Sequence, residues 1–334
     1  MFTKKTILSA AILLALPVAA AADVTIYGRA NVSVDLLDDG DDYSEVAMSS
    51  NSSRLGFRAN REFDGFTAMV QIEQEIDFSD SGTNWASRDT FVGLRGDFGM
   101  FRLGKFDTPF KRARGPANLF GDQMGDMRNL TRAGNARFDE RTPNTIHYQT
   151  PDLSGFRFNV AYSLHEGRDN RGLDDSAVSL SLTYSAGPLD LAAAYEKFDD
   201  DASRGGRDAF RFAVSYKIND LTLIGFYQMA DHDNDAFDSD VFGIGASFAL
   251  NEKNTIKAHF FNRSADANNA DSDLFAIGWD YRIARPVRIM LAYARVGNDD
   301  NANLTPWNQA RTTGQPGSLG NAASGFSMAL RYDF

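Results

Sequence analysis

The sequence predicts an all-β fold: a 16-stranded antiparallel transmembrane β-barrel with a long third loop folded into the lumen. Three observations carry that expectation. The chain opens on an export signal. Beyond residue 22 it alternates apolar and polar residues in runs of similar length, joined alternately by short and long connections. One stretch, from Asp107 to Arg141, breaks the alternation.

Residues 1–22 read as a cleaved signal peptide. Lys4 and Lys5 give a charged start, Ile7 to Val18 an apolar run and Ala20-Ala21-Ala22 a small-residue cleavage site, leaving Asp23-Val24 as the new start. The run is too short, and wrongly flanked, for a transmembrane helix, and no later run approaches the roughly 20 residues such a helix needs. A hydrophobic content of 43% and a mean hydropathy of −0.35 are nevertheless compatible with a membrane barrel. Its strands alternate and hide from hydropathy averaging. The chain has no cysteine, so disulfide and thiol chemistry are excluded. A formal charge of −11 disfavours nucleic acid as a partner, because phosphate binding needs a basic face. The acid gathers in Asp38-Asp39-Gly-Asp41-Asp42, Asp199-Asp200-Asp201, Asp231-His-Asp233-Asn-Asp235 and Asn298-Asp299-Asp300, which recur between alternating stretches as one set of loops.

Residues 23–334 form one barrel domain. Alternation begins in Val24-Thr-Ile-Tyr-Gly-Arg, with Val24, Ile26, Ala30, Val32 and Val34 on one face and Thr25, Arg29, Asn31, Ser33 and Asp35 on the other. It continues from Ser53, from Phe66 after a turn at Asp64-Gly65, from Arg88 to Gly96, and from Met100 to Phe106. Downstream strands are expected over 142–150, 156–165, 176–186, 189–198, 208–217, 221–230, 239–249, 254–264, 272–282, 287–297 and 323–334. Short turns hold Gly187-Pro188, Asn219-Asp220 and Ala284-Arg-Pro286, the residues that turns favour. The last strand places Phe326, Met328, Leu330, Tyr332 and Phe334 on one parity, as a strand that must pair with the first would. Alternation alone also fits a water-soluble sandwich. Export, the number of near-equal strands and the aromatics at strand ends favour the membrane barrel.

The 107–141 stretch is bracketed by Pro109 and Pro143 and carries Gly115, Gly121, Gly125, Asp122, Asp126 and several arginines. Connections this long in a compact domain are uncommon and are usually functional or disordered. Together with Val24-Thr-Ile-Tyr-Gly-Arg29, Ser53-Arg-Leu-Gly-Phe57, Arg88-Asp-Thr-Phe-Val-Gly-Leu-Arg95, Phe98-Gly-Met-Phe-Arg-Leu-Gly104, Arg141-Thr-Pro-Asn-Thr-Ile-His-Tyr148 and the terminal Tyr332-Asp-Phe334, it resembles the Gram-negative general porins over essentially the whole mature chain. That resemblance implies a homotrimer in the outer membrane of a Gram-negative bacterium, among lipid and lipopolysaccharide. It implies passive diffusion of small hydrophilic solutes and ions, with no enzyme activity and no cofactor. It also implies a constriction where arginines on the wall (Arg54, Arg88, Arg141 and, by shared parity, Arg58) face acids on the loop (Asp122 and Asp126). The loop departs from the best-known enterobacterial pattern: Phe120-Gly-Asp-Gln-Met-Gly-Asp126 stands where a Pro-Glu-Phe-Gly-Gly run is expected.

Opposed charges across a narrow passage create a transverse field that sorts solutes by charge and dipole. Acidic loops favour cations at the mouth while the arginines act oppositely at the narrow part, and the sequence leans to cations. A substrate-specific channel, or a surface barrel whose loops 37–52 and 298–322 bind a receptor, are the alternatives. No metal site is expected: Asp231-x-Asp233-x-Asp235 lacks the glycine and glutamate of a calcium loop, and the histidines show no zinc spacing.

Overall fold

Among the described residues, each stave of the wall pairs antiparallel with the next in sequence, and the last pairs with the first. The computed structural model describes residues 23–79, 86–165, 176–201 and 204–334; the expected signal peptide, 1–22, lies outside the described residues. The strands are β1 (Asp23–Asp38), β2 (Ser44–Ser50), β3 (Arg54–Phe63), β4 (Phe66–Glu75), β5 (Thr90–Gly96), β6 (Gly99–Asp107), β7 (Arg141–Gln149), β8 (Phe156–Ser163) and β9 (Ala177–Ala186). They continue as β10 (Leu189–Asp201), β11 (Gly205–Ile218), β12 (Leu221–His232), β13 (Ser239–Ala249), β14 (Asn254–Ala265), β15 (Ser272–Ala284), β16 (Val287–Asn298) and β17 (Ala323–Asp333).

Seventeen segments make sixteen staves, because β2 and β3 both pair with β1 and share one position. The break between them is built by side chains. Ser52 turns at φ 53°, Asn31 donates to the Asn51 carbonyl at 3.0 Å, and the Ser53 hydroxyl accepts from the Asn31 amide at 2.9 Å. Strand β2 falls within 37–52, where the sequence predicts a loop. Its alternation is short, with only Val46 and Met48 exposed on the apolar side. The ring closes with Val32 opposite Leu330, and Gly28 and Phe334 exchange backbone hydrogen bonds of 2.8 and 3.0 Å.

The two faces of the wall are inverted relative to a soluble sandwich. On β15, Leu274 and Ala276 are fully buried, whereas Phe275 and Ile277 are 42% and 50% exposed. Leaving one such side chain in water forfeits roughly 1.5–3 kcal/mol of burial. Repeated around the ring, that face requires hydrocarbon instead of water. Aromatics collect at the short-turn end, where Phe63 stacks on Phe66 at 5.0 Å and Phe101 lies 4.7 Å from Tyr148. Such rings suit the membrane interface. Gly65, at φ 82°, supplies the left-handed residue of the β3–β4 turn.

The connection from β6 to β7 has short helical turns of its own. In α1 (Pro109–Arg112) the Thr108 hydroxyl accepts from the Lys111 amide at 3.2 Å, and Pro109 supplies a first-turn residue that needs no donor. A second turn is α2 (Arg128–Thr131). Phe110 and Phe138 pack with Ala177, Ala192, Ala194 and Ala209, while Phe120, Met124, Met127 and Leu130 pack with Val241, Phe261, Leu274, Ala276 and Ala294. Small side chains on the buried face of the wall make room for large ones on the connection.

Candidate functional site

The arginines of the second to sixth staves come together because period two sends alternate residues to one face. Arg54 and Arg58 on β3, Glu73 on β4 and Arg102 on β6 all reach the same space. Arg88 and Asp89 enter it from the bend before β5, Asp107 and Arg141 from facing ends of β6 and β7, and Arg112 from α1. The cavity they line with Arg95 measures about 480 Å³ and carries seven guanidinium groups against three carboxylates.

Three charge clusters order the region. In the first, Glu73 accepts from Arg88 at 2.6 Å and from the Tyr27 hydroxyl at 2.9 Å, with Arg54 at 3.8 Å. Arg58 donates to Gln71 at 3.1 Å and lies 4.8 Å over the Tyr27 ring. In the second, Arg141 bridges Asp89 and Asp107, each at 2.7 Å, while Arg112 and Lys111 add contacts of 3.0 and 2.9 Å to the same two acids. Burial pushes the Lys111 amine down to about 8, against the opposing pull of Asp107. Asp122 forms the third, accepting from Arg29 at 3.1 Å and Arg128 at 2.8 Å. Burial acts to raise its pKa, but the Arg128 and Arg29 guanidiniums hold it well below the usual carboxylate range.

Of the residues expected from sequence, Arg54, Arg58, Arg88 and Arg141 line one cavity. Asp122 does not line that cavity but pairs with Arg29, near enough to Arg54 for each to feel the other's charge, and Asp126 is fully buried. Its carboxylate is taken up by Arg128 at 2.6 Å and by the Asp122 amide at 2.8 Å. The acids nearest the arginines belong to the wall and its bends: Glu73, Asp89 and Asp107. Their signal was present in the sequence, since Gln71-Ile-Glu73 alternates on the polar parity and Asp89 follows Arg88. Arg102 is a further residue that sequence reasoning passed over. It is 3% exposed, stacks 4.4 Å from the Phe106 ring and donates to His147 at 3.3 Å. Among the described residues it pairs with no carboxylate.

The 107–141 segment is anchored opposite this cavity. Arg211 on β11 pairs with Asp139 and donates to the Phe110 carbonyl at 2.9 Å, so one side chain holds both ends. Gln228 donates to the Thr131 carbonyl at 3.0 Å, and Lys257 to Gln123 at 3.0 Å. His259 meets the Gly125 carbonyl at 2.9 Å.

A family model described as Gram-negative porin matches residues 8–301. The major outer membrane protein P.IB of Neisseria gonorrhoeae is 32% identical over 192 residues, covering 54% of this chain and 53% of that protein. Its counterpart in Neisseria sicca is 29% identical over 201 residues, covering 58% and 55%. The chain thus spans about half the length of the curated relatives it matches. Among solved structures, the anion-selective porin from Comamonas acidovorans superposes with a TM-score of 0.84 at 21% identity, covering 94% of this chain and 100% of that one. The in-vitro folded OmpT of Vibrio cholerae, in its trimer form, superposes with a TM-score of 0.70 at 20% identity, over 94% and 100%.

Proposed function

The chain belongs to the Gram-negative porin family and is an outer-membrane β-barrel, and from that premise we propose that it is a water-filled diffusion channel for small hydrophilic ions and solutes, with anions preferred. In this reading the 107–141 segment lies in the lumen and narrows it, leaving the cavity beside β3–β7 as the passage. The activity is transport, without catalysis or cofactor. By the same reading the barrel works as a homotrimer seated among lipid and lipopolysaccharide, an assembly consistent with the trimer form in which OmpT was solved.

One observation carries the ion preference: the cavity holds four more guanidiniums than carboxylates. The lean to cations drawn from sequence weighted the acidic loops. Ions are sorted most strongly where the passage is narrow and low-dielectric walls focus the field, so the arginines outweigh the loops. Guanidinium stays charged at any physiological pH, which makes the preference permanent. The Comamonas acidovorans porin is described as anion-selective, in keeping with this.

The test is the reversal potential of the purified protein in a planar bilayer under a potassium chloride gradient. A sign reporting chloride over potassium is expected. The opposite sign would return the weight to the acidic loops, and a barrel that inserts without conducting would end the channel reading.

A further inference from the structure

The connection between β16 and β17, residues 299–322, behaves unlike a solvated mouth loop. Trp307 is fully buried among Phe120, Met124, Met127 and Leu130 of the 107–141 segment, and its indole N–H donates to the Gln315 carbonyl at 2.9 Å. Pro306 accepts from the Gly125 amide at 2.8 Å, and Gln309 accepts from Arg132 at 2.7 Å. Arg311 forms an ion pair with Asp35 on β1 in which both side chains are fully buried. Thr312 accepts from the Ser50 amide at 2.9 Å, beside the break between β2 and β3. A tryptophan and an ion pair removed this far from water require a fixed seat, because a buried charge that loses its partner is heavily penalised.

We propose that residues 299–322 are a second constricting element, resting on the channel reading above. Trp307 wedges it onto the first segment and the Arg311–Asp35 pair clasps it to β1. Together the two segments fill the lumen along β1, β2 and β11–β17 and confine permeation to the arginine-lined side at β3–β7. The segment therefore sets both the size of the passage and how closely each ion passes the arginines. This role goes beyond a receptor-binding loop, which would present its side chains to solvent.

Removal of residues 303–317 tests it. The cut rejoins chain ends already close together, since the Gly320 amide donates to the Ala302 carbonyl at 3.0 Å. In planar bilayers the shortened protein is expected to show a roughly twofold larger single-channel conductance and a reversal potential closer to zero, as ions gain a route away from the arginines. If the full-length protein conducts and the shortened one matches it in both respects, the second constriction is overturned while the channel stands. If the full-length protein does not conduct, both fall.

Should the shortened chain fail to insert, a tether decides. The chain has no cysteine, and the Ser49 and Thr312 hydroxyl oxygens lie 3.4 Å apart, so Ser49→Cys with Thr312→Cys offers a single disulfide. In an Arg311→Ala background, the oxidised form is expected to conduct as the full-length protein does, and reduction is expected to raise the current. Equal currents before and after reduction overturn the proposal.

Discussion

Arg211 holds both ends of the 107–141 segment at once, through Asp139 and the Phe110 carbonyl, and all three groups are buried. Removing one partner of a buried pair strands the other charge. Arg211→Ala is therefore expected to cost about 3–5 kcal/mol, seen as a lower unfolding temperature and faster proteolysis within the segment. Arg211→Lys should recover only part, because one ammonium cannot serve Asp139, Gln228 and the carbonyl together. Asp139 also sets an acid limit. Burial acts to raise its pKa, but Arg211 and Arg114 hold it at about 2, below its ordinary 3.8. A depressed carboxylate contributes stability that is complete above the ordinary value and lost as pH falls through the folded one. Proteolytic protection of the segment should thus be unchanged from neutrality to pH 3.8 and decline towards pH 2. Loss of protection already at pH 5 would show that other groups hold the segment.

The connection between β6 and β7 shows how two elements are fitted by size. Gly125 adopts φ 81°, and a Cβ there would stand 2.6 Å from the Ala276 Cβ and 2.9 Å from that of Ala294. Neither neighbour can rotate away, so Gly125→Ala combines backbone strain with overpacking. Its expected cost is about 1–3 kcal/mol, measured as a lower unfolding temperature with the strand content of the barrel retained. At this scale the sequence was largely legible. Period two located all sixteen staves, as sixteen of the seventeen strand segments, to within a few residues and marked the 107–141 interruption. It failed at β2, where two exposed apolar residues are too few to show a period, and at 299–322, where nothing local reveals that Trp307 has a distant seat. Ala192, Ala194, Ala276 and Ala294 were the readable trace of the packed segment, small residues on a parity expected to be polar. Arg54, Arg88 and Arg141 were reached through the family resemblance, and parity shared with Arg54 added Arg58; all four line one cavity. The loop acids were not legible, because Arg128 reaches back two residues to claim Asp126, and spacing does not record such a contact.

Over the whole molecule, a net charge of −11 surrounds a cavity of the opposite sign. Arg102 offers a clean probe of that cavity, since its removal frees no paired carboxylate. Arg102→Gln should lower the chloride-to-potassium permeability ratio roughly two- to threefold, the effect of a potential change on the order of kT. Arg88→Ala and Arg141→Ala should lower it further, because each also removes the nearest cation from an acid that lines the cavity. Alkali should act in the same direction: with Lys111 pushed down to about 8, raising the pH from 7 to 9 discharges an amine beside Asp107 and weakens anion preference. A reversal potential constant over that interval would place Lys111 outside the field felt by the ions.

The seam between Gly28 and Phe334 joins the beginning of the wall to its end across some three hundred residues of intervening chain. Every other stave finds its neighbour nearby in sequence, but this one must wait for the last to be made. Until then the growing sheet has two raw edges, each a template for pairing with another molecule. Its assembly is accordingly all or none: a chain cut short by one stave is left with open flanks and no place in the membrane. The hazard lies in the interval before closure, and it ends when the seam forms.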